Sequence, residues 1–208
     1  MMQPNWTTAI NRFLEFVENN CEYEIIDYGS AEANTPVKRR PFMPNDRIEE
    51  YFTRRNYNEF REIIYALFPR SGPFHPQTIL TNHTSIFCTL LSIGEGAYIE
   101  HFRHYDSLSD SSLPFNPTSP PANLPAAARE PKFLHSFCAA QWKFCAVILK
   151  DPVADKRFEH DRVLPIIEKK RLAGGGSATL WLVKIYSSYN KLISEETKVV
   201  CSCQSLLE

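Results

Sequence analysis

The residues best suited to chemistry are three adjacent glycines, Gly174, Gly175 and Gly176, in the stretch RLAGGGSATLWLVKI (171–185). Between Leu172 and Leu180 nothing is larger than threonine. Main-chain N–H groups can close on phosphate oxygens only where bulky side chains are missing, so this composition suits a hairpin that covers an anion. A glycine-rich corner that merely joins two β-prone runs fits it equally well.

Other candidate groups are less complete. His101 and His104 stand three apart on an expected helix and share a face, a spacing that metals use. No nearby cysteine or glutamate completes a ligand set, so two solvated histidines are the plainer expectation. Cys201 and Cys203 form a lone C-x-C without the second ligand pair of a zinc motif. His83 lies on an apolar stripe, where a core or boundary histidine is expected. Ser119-Pro120 matches a proline-directed phosphorylation site and also an unmodified turn.

The totals limit what can surround these groups. The chain has 208 residues, 43% hydrophobic and 23% charged, enough for one or two packed domains. Its 23 basic and 24 acidic side chains leave a net charge of −1, without the basic excess of a nucleic-acid binder. Lys38-Arg39-Arg40 is too short to change that reading and is expected in a solvated loop. No apolar run approaches the ~20 residues of a membrane span. The opening MMQPNWTTAINRFLEF shows no basic segment followed by an apolar core, so no secretion signal is expected. The six cysteines are then expected as free thiols, four of them in apolar text. The expected location is cytoplasmic, with the nucleus left open.

The elements that must position the glycines follow from periodicity. Ile10, Phe13, Leu14 and Val17 mark a helix over 5–20, and an irregular stretch reaches Pro44. Asn45 or Asp46 caps a helix carrying Ile48, Tyr51 and Phe52, and Asn58 opens another carrying Phe60, Ile63, Ile64, Leu67 and Phe68. PRSGPFHP breaks the chain. Pro76 then starts the strongest helix, with a stripe of Ile79, Leu80, His83, Ile86, Phe87, Leu90 and Leu91, ended by Gly94 and Gly96. AYIEHFRHY is one more short helix. Residues 107–131 hold six of the 15 prolines and read as a linker or a surface meander. KFLHSFCAAQWKFCAVIL is a helix running into a strand, with Trp142 and Phe144 expected in the core of the second domain. Residues 151–162 are a polar loop, and Val163–Ile167 a short apolar run before the hairpin.

The stretch LAGGGSATLW resembles the glycine-rich loop of protein kinases, with Gly175 at the central glycine. FCTLLSIGEGAYIEHFRHYDSLSDSSLPF, FCAAQWKFCAVIL, VLPII and GGSATLWLVKIYSSYNKL occur in this order in fungal protein-kinase-domain proteins, and the resemblance covers roughly residues 45–192. It implies ATP binding and, in complete members, phosphoryl transfer to Ser or Thr. It also implies that Leu172, Gly174, Gly175, Gly176, Ser177 and Leu180 hold the nucleotide. Mg²⁺ is implied only where the whole kinase domain exists.

The departures from that pattern are informative. Ala173 and Ala178 replace the first and third loop glycines. If either site needs positive φ, the Cβ costs roughly 1–2 kcal/mol. A kinase also needs a third-strand lysine in an Ala-x-Lys context to pair with the phosphates. Lys184 lies six residues beyond Ala178, or ~20 Å along an extended strand, so it is expected on the outside. The third strand is expected in TKVVCSCQSLLE, which has no Ala-x-Lys, and Lys198 precedes its apolar run. His-Arg-Asp, Asp-Phe-Gly and Ala-Pro-Glu do not occur in these 208 residues, so no catalytic or metal residue is assigned and autonomous kinase activity is not expected.

The expected architecture is α+β: a helical domain over 1–106, a linker over 107–131, and an incomplete kinase N-lobe over 132–208 whose tail diverges from about 193. The resemblance makes the chain the amino-terminal portion, or a degenerate relative, of a Ser/Thr kinase, truncated after the hairpin. The alternative is a non-catalytic interaction module whose helical domain binds a protein partner.

Overall fold

The computed structural model describes residues 6–25, 39–70, 75–150, 161–175, 178–192 and 200–203. It is a mixed structure of helices and small sheets, and the chain divides into two compact units. One holds residues 1–21 and 43–145, the other residues 22–42 and 146–208. Among the described residues no helix is long and apolar enough to cross a membrane.

The first unit is helical. Helix α1 (Trp6–Asn20) turns Ala9, Phe13 and Val17 inward, the spacing of one helical face. Helix α2 (Asn45–Leu67) buries Ile48, Tyr51 and Phe52 in its first half and Phe60, Ile63 and Ile64 in its second. The halves are separate helical runs, as the capping signal at Asn58 suggests. Between them Arg54 is extended (ψ 150°), and Arg55, Asn56 and Tyr57 are left-handed at φ 50°, 55° and 63°. Three non-glycine residues there cost roughly 1–2 kcal/mol each. The turn is tied down by Glu59, which is buried and meets the Arg54 guanidinium at 3.0 Å.

The stripe from Ile79 to Leu91 predicts one helix, and the structure divides it. Helix α3 (Gln77–Leu80) and helix α4 (Thr84–Ser92) are separated at Thr81–His83. Periodicity carries through such a break because the same face remains buried. The reason for the break lies downstream: Asp110 accepts the Ser85 and Ile86 N–H groups at 3.0 and 2.9 Å and so caps α4 from outside the local sequence. Gly94 ends this region at φ 78°, a conformation that favours glycine. At Gly96 a Cβ would come within 2.8 Å of a Leu91 methyl, so that position is closed by packing. A 3-10 turn (Gly96–Tyr98) and helix α5 (Ile99–Phe102) follow.

Residues 107–131, the expected linker, are built into the helical unit. They form short 3-10 turns and bury Leu108, Phe115, Leu124 and Ala128 in its core. Apolar anchors spaced this widely leave no periodic signal, and prolines without repeat read as linker. Ser119 lies in an exposed turn, where its N–H donates to the Asn116 carbonyl at 3.1 Å. Helix α6 (Pro131–Ala140) starts with proline at its first turn and packs Phe133, Leu134, Phe137 and Cys138 into the same core. Phe144 is buried in that helical core as well, instead of in the second unit, and Trp142 is half-buried. Stacked and edge-on rings fill the interior, among them Phe13–Phe52 at 5.3 Å and Phe115–Phe137 at 5.2 Å between centroids.

The second unit is a set of small sheets. Strand β1 (Glu22–Ile25) pairs antiparallel with β2 (Arg39–Phe42), from the region expected to be irregular. Strand β3 (Leu149–Lys150) lies parallel to β6 (Asn190–Lys191). Strands β4 (Ile166–Gly175), β5 (Ala178–Ile185) and β7 (Val200–Cys203) form an antiparallel sheet in that order. The β1–β2 ribbon is fixed to the lead-in of β4 by buried Glu24, which takes the Arg40 Nε–H at 2.8 Å and the Leu164 N–H at 3.1 Å. Arg40 also donates to the Arg162 carbonyl at 2.7 Å. Phe42 is buried edge-on between Tyr186 and Tyr189, with centroids at 6.0 and 5.8 Å.

Candidate functional site: a glycine-rich ribbon

The glycine segment is the closed end of the β4–β5 ribbon. Gly175 faces Ala178, Gly174 faces Thr179, and Ala173 faces Leu180. Gly174 and Gly175 therefore belong to strand backbone, and Gly176 and Ser177 lie outside the described residues. A ribbon that carries glycine to its tip can bring main-chain N–H groups close to an anion, since no Cβ stands in the way.

Leu172 has no partner. On β4 two steps separate Arg171 from Ala173, against one step on β5 from Trp181 to Leu180, so Leu172 is the extra residue of a bulge. It is 48% exposed, one of the few large apolar side chains that is. A bulge re-aims the side chain it carries. Here it presents an uncovered leucine three residues before the ribbon tip, a position suited to lie against a flat apolar ring. Leu180 is half-buried and sits between Ala173 on one side and Ser202 on the other.

Two lysines of the ribbon are engaged elsewhere. Lys184 faces Glu168 across the strands and its ammonium pairs with that carboxylate. Both are well exposed, so the pair adds little stability, but it fixes Lys184 on the outside far from the tip. Lys169 holds its ammonium 4.2 Å from the Trp181 ring centroid, a cation–π contact. Sequence reading did not find this Lys169–Trp181 pair. Strand register decides it, and the alternating pattern of KKRL against LWLV was the available signal. On the other side of β5, Cys201 faces Trp181 and Cys203 faces Thr179, so β7 brings Ser202 and Cys203, and no cation, to the glycine end.

The remaining candidates are dispersed. His101 shares a hydrogen bond with the Asn123 carbonyl at 2.9 Å, and His104 lies 3.9 Å from Glu100. The two imidazoles thus have separate partners. Among the described residues no group of three His, Cys, Asp or Glu side chains can hold a metal ion. Cys88 and Cys138 are free thiols. Burial pushes the thiols of Cys88 and Cys138 up, which keeps them protonated and unreactive. His83 is buried in the core, as its stripe position suggests.

No protein-family model, curated protein or solved structure matches this chain.

Proposed function

We propose that the second unit binds ATP through the glycine-rich ribbon, as a kinase-like phosphate loop that has kept binding without transfer. The observation that carries this reading is the register at the ribbon tip. Gly174 and Gly175 are strand residues paired with Thr179 and Ala178, one residue beyond the exposed, bulged Leu172. Three further features support it. The sheet order β4-β5-β7 places a third antiparallel strand beside the ribbon, as expected for the opening of a kinase N-lobe. Leu172 is exposed at its bulge, and in this reading it covers the nucleobase while the glycine backbone meets the phosphates. And the strand beside the glycine end offers no ammonium, in keeping with binding that does not lead to catalysis.

The affinity expected is modest. Alanines at 173 and 178, and no lysine on the phosphates, leave main-chain dipoles as the principal attraction. The test is a titration of the protein with a fluorescent ATP analogue in the presence of Mg²⁺. Saturable binding that is lost in Gly175→Asp supports the proposal, because the carboxylate repels phosphate at the tip. An absence of binding at millimolar nucleotide overturns it, and leaves the helical unit as a protein-interaction module the better account.

A further inference from the structure

We propose that a cavity in the helical unit binds a small organic cation carrying N–H donors, a primary ammonium or a guanidinium. The inference does not depend on the ribbon. The cavity, about 370 Å³, is walled by α2, α3, the start of α4 and Asp110. That volume falls within the usual range of small-molecule sites, toward its lower end.

Its lining is one-sided in charge. Glu49 and Asp110 both border it, and no lysine, arginine or histidine does. Neither carboxylate forms an ion pair with a described cation. Asp110 accepts the N–H groups of Ser85 and Ile86, and the Thr84 N–H and the Ser85 hydroxyl turn to it as well, so what it adds to the cavity is charge more than open lone pairs.

The hydroxyls sharpen the choice of ligand. Thr53 Oγ1 donates its proton to the Glu49 carbonyl at 2.7 Å, and Thr84 Oγ1 donates to the Leu80 carbonyl at 3.0 Å. With those protons committed to the backbone, both oxygens offer only lone pairs to the cavity. The Glu49 carboxylate and the two spent hydroxyls make a set of acceptors, which a ligand rich in N–H groups satisfies, while the amides of Asn45 and Gln77 complete the polar lining. The half-buried Tyr57 supplies aromatic surface that favours a cation further. Tyr57 stands there because the left-handed turn in α2 puts it there.

A bare metal ion fits less well. Hard divalent cations take six or more oxygens, and two carboxylates are a poor start. A quaternary ammonium would use the aromatic walls but leave the acceptors unmatched.

The experiment is calorimetric titration of the whole chain with n-butylammonium and butylguanidinium, in about 0.15 M salt to screen loose surface attraction. Tetramethylammonium and n-butanol serve as controls. Saturable binding of either N–H cation, at least tenfold tighter than both controls, supports the proposal. Glu49→Gln should weaken it about tenfold with an unchanged melting temperature, since the Glu49 carboxylate is exposed and has no ion-pair partner among the described residues. Thr53→Val, which keeps the shape and removes one acceptor, should weaken it severalfold. Failure of both cations to saturate, binding of n-butanol as tight as theirs, or indifference to both substitutions overturns it.

Discussion

Gln141 and Phe115 hold each other through both ends of one side-chain amide. The Phe115 N–H donates to Gln141 Oε1 at 2.7 Å, and Gln141 Nε2 donates to the Phe115 carbonyl at 2.9 Å. The second amide proton reaches the Cys138 carbonyl at 3.2 Å. Gln141 is fully buried, so its side chain acts as a piece of strand for a backbone with no strand neighbour. Gln141→Ala orphans the Phe115 N–H and leaves its carbonyl with only the weak Cys138 thiol donor at 3.4 Å, so it is expected to cost about 2–3 kcal/mol, since each buried unsatisfied group costs on the order of 1–3 kcal/mol. Urea unfolding measures it, and a loss below about 1 kcal/mol would show that water replaces the amide.

Arg40 and Glu24 should behave as a buried pair. Arg40→Ala leaves the Glu24 carboxylate buried with only the Leu164 N–H, and removes the bond to the Arg162 carbonyl. A loss of about 3 kcal/mol is expected, the usual consequence of stranding a buried charge. Replacing both partners, Glu24→Met with Arg40→Met, should recover much of it.

His83 makes folding weaker in mild acid. Neither ring nitrogen has a hydrogen-bond partner, and burial pushes its pKa below the ordinary histidine value. The nearby Phe102 and Tyr105 carbonyls and Asp106 pull the other way without prevailing. The unfolded chain therefore binds the proton more readily. The stability tied to neutral His83 is complete above about 6.5 and is lost as pH falls below that value. His83→Leu should remove this dependence and raise stability at pH 7 by roughly 1 kcal/mol, because it deletes polar atoms that are buried without partners. Melting temperatures at pH 5 and 7 for both proteins decide it.

Asp110 has the opposite sign. Burial raises its pKa to about 6, against the pull of the Ser85 and Ile86 N–H groups. A raised carboxyl contributes most below its unfolded value of about 3.8, and that contribution is lost as pH rises through about 6. The stability of the natural protein minus that of Asp110→Asn should therefore grow as pH is lowered from 7 to 5. A constant difference would show that the carboxyl titrates as if exposed.

Leu172 separates a nucleotide site from a simple corner. It is exposed, so Leu172→Ser should leave the melting temperature unchanged while weakening the fluorescent ATP analogue about tenfold. Equal affinity would leave the leucine with no part in binding.

These residues also show how far the sequence could be read. Periodicity located α1, both halves of α2 and the β4–β5 hairpin, because each repeats a local pattern with its own stop signals. It also placed Lys184 outside, since strand rise alone separates it from the glycines. What escaped it depends on partners distant in the chain. Asp110 caps α4 from 24 residues beyond Ile86, and Glu24 reaches Leu164 across 140 positions. Phe115 and Leu124, isolated among prolines, carry no period, yet the helical core encloses them. The glycine triplet was visible as composition, but the bulge that exposes Leu172 follows from pairing register.

The division of the chain has a consequence for the order of assembly. The sheet unit takes residues 22–42 from one side of the helical unit's main segment and residues 146 onward from the other. As the polypeptide leaves the ribosome, the first β-ribbon emerges more than a hundred residues ahead of the strands that cover it. Until residues 162 and 164 arrive, Glu24 lacks the Leu164 N–H and Arg40 lacks the Arg162 carbonyl. The helical unit can close as soon as Gln141 and Phe144 appear, so it should mature first and the sheet unit, which waits for residues 146 onward, should follow.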